Sequence, residues 1–156
     1  MATGTVKFFA AGLLDLGNKV HNLSSDVLKL GIVTTATVPA IGTAVPHFGG
    51  TGTTNFATNQ VGIAGTSYTG PLTLTTVTWT NVSNVPTLRA DIVTLNQDAS
   101  GFTTGAYGIL FNNTDANKRA LAWVEISAAG TASLVSGQLV IDWSGATNDI
   151  LTLTQS

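Results

Sequence analysis

Several stretches that read as β-strands in this sequence are apolar on both faces, and that habit limits what the chain can fold into. In "RALAWVEIS" (residues 119–127), Ala120, Ala122, Val124 and Ile126 share one face of a strand, while Leu121 and Trp123 occupy the other. In "QLVIDW" (138–143), Leu139, Ile141 and Trp143 face one way, with Val140 and Asp142 opposite. An antiparallel sheet with one face in water alternates apolar and polar residues. Here the second face needs a cover, either the long loop and helix of the same chain or another copy of it. A buried tryptophan hides about 150–250 Å². At about 25 cal/mol per Å², leaving one exposed forgoes several kcal/mol.

Charge patterning makes the same demand. Asp, Glu, Lys and Arg are 9% of the 156 residues, against about 25% in an average soluble domain. None occurs between Lys29 and Arg89, and mean hydropathy is +0.32. Little repulsion therefore opposes self-association or docking on another surface. A membrane span is not expected, because Pro39, Gly42, Pro46, Gly49 and Gly50 interrupt the uncharged stretch. The N-terminal apolar run is short and broken by Asp15, a poor match to a secretory signal. Six scattered basic residues and a net charge of −2 leave no electrostatic footprint for nucleic acid. With no cysteine there is no disulfide or thiolate chemistry. A domain of this length buries roughly 68–70% of its unfolded surface, so a core is possible without staples.

Phe9, Leu13, Leu16 and Val20 recur at helical spacing, with Gly17 as a natural stop. A strand through "TVKFF" bending at Gly12 is the competing reading. "DVLKLGIVTT" (26–35) reads as a strand, and residues 36–59 as a long loop of the kind that serves function or contact. From residue 60 onward turn residues punctuate short β-rich runs: "QVGIAG", 72–82, "TLRADIVTL", "AYGILF", "RALAWVEIS", "TASLVSGQLVIDW" and "ILTLT". In "TLRADIVTL", Leu88, Ala90 and Ile92 oppose Arg89 and Asp91. The expected architecture is mainly β, about eight strands with one short N-terminal helix, in a single domain over 1–156. In 72–82 the apolar positions change phase between Leu72 and Leu74 on one side and Val77 and Trp79 on the other. Either a β-bulge re-aims that strand, or both of its faces are buried.

No constellation of catalytic residues stands out. "PHFGGTGTTNF" (46–56) lacks the lysine of a phosphate loop, and Asn55 stands where a dinucleotide fingerprint needs its third glycine. Asn113, Asp115 and Asn117 mimic the start of a calcium loop, but Lys118 replaces its glycine and Val124 its twelfth ligand. His21 and His47 are isolated, Ser100 lies in a turn without a nucleophile elbow, and Glu125 and Asp142 are a sparse acid pair on strands expected to be adjacent. Sequons at Asn22, Asn81 and Asn112 reflect a chain rich in Asn and Thr. The expectation is a protein that is not an enzyme and uses no metal or other cofactor.

The phrases "LLDLGNKVHNLSSDVLKLGIVT", "TNFATNQV", "SYTGPLTL", "RADIVTLNQDASGFT", "AYGILFNNTDANKRALAWVEI" and "LVIDWSGATNDILTLT" together resemble a family of small virion structural proteins of tailed bacteriophages. The resemblance spans about residues 7–154. It implies a capsid decoration or cement protein, an antiparallel β-sandwich of jelly-roll type bound outside the head. It would be made in the host cytoplasm, with the major capsid protein and further copies of itself, as homotrimer or homodimer, for partners. The alternative is a tail or appendage protein that binds a host surface or glycan. Contacts are expected from the N-terminal segment 1–25 and the loop 36–59, with Phe8, Phe9, Leu13, Pro46, His47, Phe48, Phe56, Trp79, Leu121 and Trp123 as interface candidates.

Overall fold

A computed structural model describes residues 5–143 and 147–153. Residues 1–4 of the expected N-terminal contact segment, 144–146 of the expected turn 144–149, and Thr154 of the last expected strand lie outside the described residues. In chain order the strands are β1 (Lys7–Phe8), β2 (Leu28–Val33), β3 (Pro46–His47), β4 (Thr54–Asn55), β5 (Leu72–Thr73), β6 (Thr78–Val82), β7 (Val85–Arg89), β8 (Val93–Leu95), β9 (Tyr107–Asn112), β10 (Ala120–Glu125), β11 (Leu139–Ile141) and β12 (Asp149–Thr152). Helix α1 (Ala10–Gly17) follows β1, and a 3-10 turn spans Phe56–Asn59. The chain is thus mainly strand with one short helix, as the sequence pattern suggests. The strands outnumber the expected eight because two runs break at corners and three two-residue strands, β1, β3 and β4, form in the N-terminal segment and the long loop.

The central sheet has the order β1-β10-β9-β2-β5, antiparallel throughout, and every residue of β9 is buried. On one face Leu28, Leu30, Ile32, Leu110, Ala122 and Val124 pack with Leu88, Leu95, Leu139, Ile141 and Ile150 from the antiparallel sheets β11-β8 and β12-β7-β6. On the other face Val33, Ile109, Phe111, Ala120 and Trp123 meet Phe9, Phe48 and Phe56. The cover of the second face is therefore this chain's own N-terminal segment and long loop. The loop itself pairs β3 with β4 in parallel. Aromatic rings hold the cover down: Phe9 lies 4.6 Å from Trp123 and 5.7 Å from Phe56, and Phe48 stacks on Phe111 at 4.8 Å. Gly31 makes room for that stack, since a Cβ there would fall 2.3 Å from the Phe48 ring.

Local details depart from strict alternation. In β10 the register shifts between Ala120 and Ala122. Leu121 thereby joins Ala122 and Val124 in the first core, while Ala120 crosses to the Trp123 face. The 72–82 run is neither a bulged strand nor a strand buried on both faces. It ends after β5, turns a corner at Thr76 (φ 52°) and resumes as β6 in another sheet. Leu72, Leu74, Val77 and Trp79 all reach the first core from either side of that corner. The 87–95 run likewise splits into β7 and β8, leaving Ile92 exposed rather than aligned with Leu88 and Ala90. "QVGIAG" forms no strand, and "TASLVSGQLVIDW" keeps only β11.

Helix α1 docks through a glycine and not through the whole expected stripe. Phe9 is its N-cap and is fully buried, Leu16 packs on the first core, and Leu13 is exposed. Contact is made at Gly12, where a Cβ would lie 2.5 Å from the Leu121 carbonyl oxygen. Gly17 is the last helical residue, not the stop. Lys19 N–H donates to Leu16 O (3.2 Å) and Val20 N–H to Asp15 O (2.9 Å), a Schellman closure with Lys19 in the left-handed position at φ 63°.

Beyond β5 the free edge of β2 is satisfied by residues 59–68. Thr34 N–H donates to Asn59 O, Val61 N–H to Ile32 O, and Ile32 N–H to the buried Tyr68 hydroxyl at 2.9 Å. Burial pushes the Tyr68 phenol up to about 12. Two substitutions check this account. Gly12→Ala should lower stability by about 1–3 kcal/mol through overpacking against Leu121, although alanine is the better helix former by about 1 kcal/mol. Tyr68→Phe strands the Ile32 N–H and should cost about 1–3 kcal/mol, seen as a lower urea midpoint at unchanged m.

Candidate functional site

Seven of the ten interface candidates lie inside the chain's own fold: Phe9, Pro46, His47, Phe48, Phe56, Leu121 and Trp123 are all buried. They cannot present their side chains to a partner, because the chain's own second core consumes the aromatic ones and Leu121 fills the first. Phe8 and Trp79 are half-buried and Leu13 is 45% exposed. What the two expected contact elements offer to solvent is a different set of side chains. Leu14 of α1 and Ile41 of the loop are each 65% exposed, with Val38 and Val45 also outside. Ala10 N–H donates to Ile41 O at 2.9 Å, which seats the loop tip beside the first turn of the helix. Apolar character within the expected contact elements singled out these aromatics, and it cannot tell a residue that covers a sheet from one that awaits a cover.

The glycine loop 46–56 is a packing device. A Cβ on Gly50 would fall 1.9 Å from Asn117 O, and Phe48 N–H and Thr51 N–H donate to Lys118 O and Asn117 O. The loop it rests on, 112–119, turns its acidic group inward. Asp115 accepts from Arg119 N–H at 3.1 Å and lies 3.8 Å from the Arg119 side chain, which also pairs with Asp15 of α1 at 3.1 Å. Among the described residues no group of three His, Asp or Glu stands close enough to hold a metal. Glu125 and Asp142 are not on adjacent strands: Glu125 ends β10 in the central sheet, and Asp142 follows β11 in another. Asn22 and Asn81 are exposed, whereas the third sequon residue, Asn112, is buried.

Asn112 organises a polar cluster that sequence reading missed, because its members are 91 and 86 residues apart. Its Oδ1 accepts from the backbone N–H groups of Thr114 (2.9 Å) and Asp115 (3.1 Å), which fixes the amide orientation. Its Nδ2 donates to Asp26 Oδ2 at 2.6 Å and faces His21 Nδ1 at 3.2 Å. His21 Nδ1 is then an acceptor, so the neutral ring carries its hydrogen on Nε2. That Nε2 is buried without a partner, as is Nδ1 of His47. Burial holds the His21 pKa below its ordinary 6.5, outweighing the pull of Asp15, Asp115 and Asp26.

Next to this cluster is a cavity of about 460 Å³, within the usual range of about 300–1,000 Å³ for ligand sites. Leu16 and Lys19 at the end of α1, residues 21–24, Trp79 on the edge strand β6, and Leu153 after β12 line it. Of the three tryptophans, Trp123 and Trp143 are 4% exposed, which leaves Trp79 as the one that meets solvent. No family model, curated protein or solved structure matches the chain.

The cluster gives stability a pH dependence with a definite sign. Protonating His21 would set an Nδ1–H against the Asn112 N–H. Below pH 6.5 the unfolded chain takes up this proton more readily than the folded one. Stability is therefore full above pH 6.5 and falls as pH drops through the lowered folded value. Thermal melts between pH 7 and 5 should show a declining Tm that His21→Gln flattens. Asp98 acts in a separate window. Its carboxylate accepts from the N–H groups of Thr66, Ser67 and Ser100, holding its pKa down at about 2 instead of 3.8.

Proposed function

We propose that this chain is a structural virion protein of a tailed bacteriophage, a decoration protein that binds the outside of the head and stabilises the shell. Its fold in this reading is a β-sandwich of jelly-roll type. In support, the first core is packed between the central sheet and the strands β7, β8, β11 and β12. The observation that carries the functional reading is the set of exposed apolar side chains on α1 and the 36–45 loop, Leu13, Leu14, Val38, Ile41 and Val45, on two elements joined where Ala10 N–H donates to Ile41 O. The loop half of this surface lies in the charge-free stretch 30–88, and Asp15, the one charged residue of α1, is paired with Arg119, so little opposes a partner there.

The mechanism is physical. Burying such side chains against the major capsid protein adds interface across neighbouring subunits. A standard contact removes about 800 Å² per partner, and many symmetry-related copies convert modest affinities into avidity. Association of the chain with itself, as trimer or dimer, would multiply the contacts per particle. No chemical step is involved, and the buried polar clusters have structural roles in this reading.

The test is co-sedimentation with expanded heads that lack decoration. The wild-type chain should pellet with heads, and the double variant Leu14→Glu, Ile41→Glu should stay in the supernatant with an unchanged circular dichroism spectrum. Both sites are exposed, so their effect on folding is expected within about 0.5 kcal/mol. Wild-type protein that ignores heads and binds tails would overturn the assignment in favour of an appendage protein.

A further inference from the structure

The cavity beside His21 has three features that a merely structural cleft would not need. Its wall includes Trp79, the half-buried tryptophan on an edge strand. Its rim is biased toward donors. Asn22 Oδ1 already accepts from Ser24 N–H at 3.2 Å, so the Asn22 amide has its N–H groups to give, and the Ser24 hydroxyl makes no hydrogen bond among the described residues. Lys19 adds an ammonium that forms no salt bridge among the described residues. The nearest carboxylates are already engaged, Asp15 by Arg119 and Asp26 by Asn112 and the Asn22 N–H.

The third feature is where Lys19 stands. It occupies the left-handed position of a Schellman closure, at φ 63°, a place glycine fills without strain. Six other non-glycine residues among those described also have a positive φ, so the weight of this position lies in putting the ammonium-bearing residue on the cavity lining. An indole beside neutral hydrogen-bond donors suits the C–H face and hydroxyls of a sugar ring, and an unpaired ammonium suits a carboxylate. Leu16, Leu23 and Leu153 supply the aliphatic part of the lining.

We infer that this cavity binds a sugar that carries a carboxylate, with Trp79 as the stacking wall, Lys19 as the anion partner, and Asn22 and Ser24 as hydroxyl partners. The inference shares helix α1 with the capsid reading, since Leu16 and Lys19 follow Leu13 and Leu14, but it holds wherever the protein sits in a particle, and Lys19→Gly leaves Leu14 and Ile41 in place.

The experiment titrates the full chain with D-glucuronate, N-acetylneuraminate and neutral D-glucose, following acrylamide-accessible tryptophan fluorescence and calorimetric heat. At least one acidic sugar should bind saturably at roughly millimolar Kd, and glucose at least tenfold more weakly. Lys19→Gly relieves the left-handed strain, so it should raise Tm by about 2–4 °C while weakening the acidic sugar at least tenfold. A variant that gains stability cannot owe its lost binding to misfolding. Trp79→Leu should weaken binding and remove the fluorescence response. Absence of saturable binding by either acid, equal binding of glucose, or undiminished binding by Lys19→Gly would each overturn the assignment.

Discussion

The packing of Phe9, Phe48 and Phe56 onto the outer face of the central sheet is the interaction on which the rest of the structure depends. Strands β2, β9 and β10 are buried on both sides, so this sheet is an interior wall. One side is supplied by distant strands of the C-terminal half, the other by segments that precede or follow β2 in sequence. Removing the second cover would expose Trp123, Ile109 and Phe111 together, an apolar area that no single chain leaves in water without consequence. The close fits at Gly31, Gly12 and Gly50 follow from the same constraint, since each lets a covering segment approach a backbone or ring that a side chain would push away.

Polar groups then hold the cover at its flank. Arg119 joins Asp15 of the helix to the 112–119 loop, and Asn112 joins that loop to Asp26 and His21. These contacts close long sequence separations around the end of the sheet, where apolar packing gives way to solvent. Satisfied networks of this sort fix one arrangement among several that hydrophobic packing alone would tolerate. The unpaired Nε2 of His21 is the exception, and it lies beside the cavity whose rim carries the strained Lys19.

The consequence for function is a change in which residues are available to partners. Because the aromatic residues of the N-terminal segment and the long loop are spent on the chain's own sheet, contact with another molecule in the proposed reading would fall to the aliphatic side chains on their outer side. Leu14 and Ile41 are exposed because the helix and the loop turn must each show one face to water once the other is buried. The absence of charge between Lys29 and Arg89 makes sense for a segment that covers a core on one side and offers an apolar surface on the other.

Alternation, turn residues and composition determined by themselves that the chain is mainly β, that a short helix lies near its start, and that a strand such as β10 needs two covers. These are local or one-dimensional properties: each depends on residues within a few positions of one another. Tertiary structure alone decided that the cover is intramolecular, that the 72–82 run is a corner between sheets, and that Leu121 crosses faces at a bulge. It alone brought His21, Asp26 and Asn112 together and put Trp79 and Lys19 on the lining of one cavity. The physical reason is that periodicity reports which side chains must leave water, while the identity of what they leave water for is fixed by contacts tens of residues away.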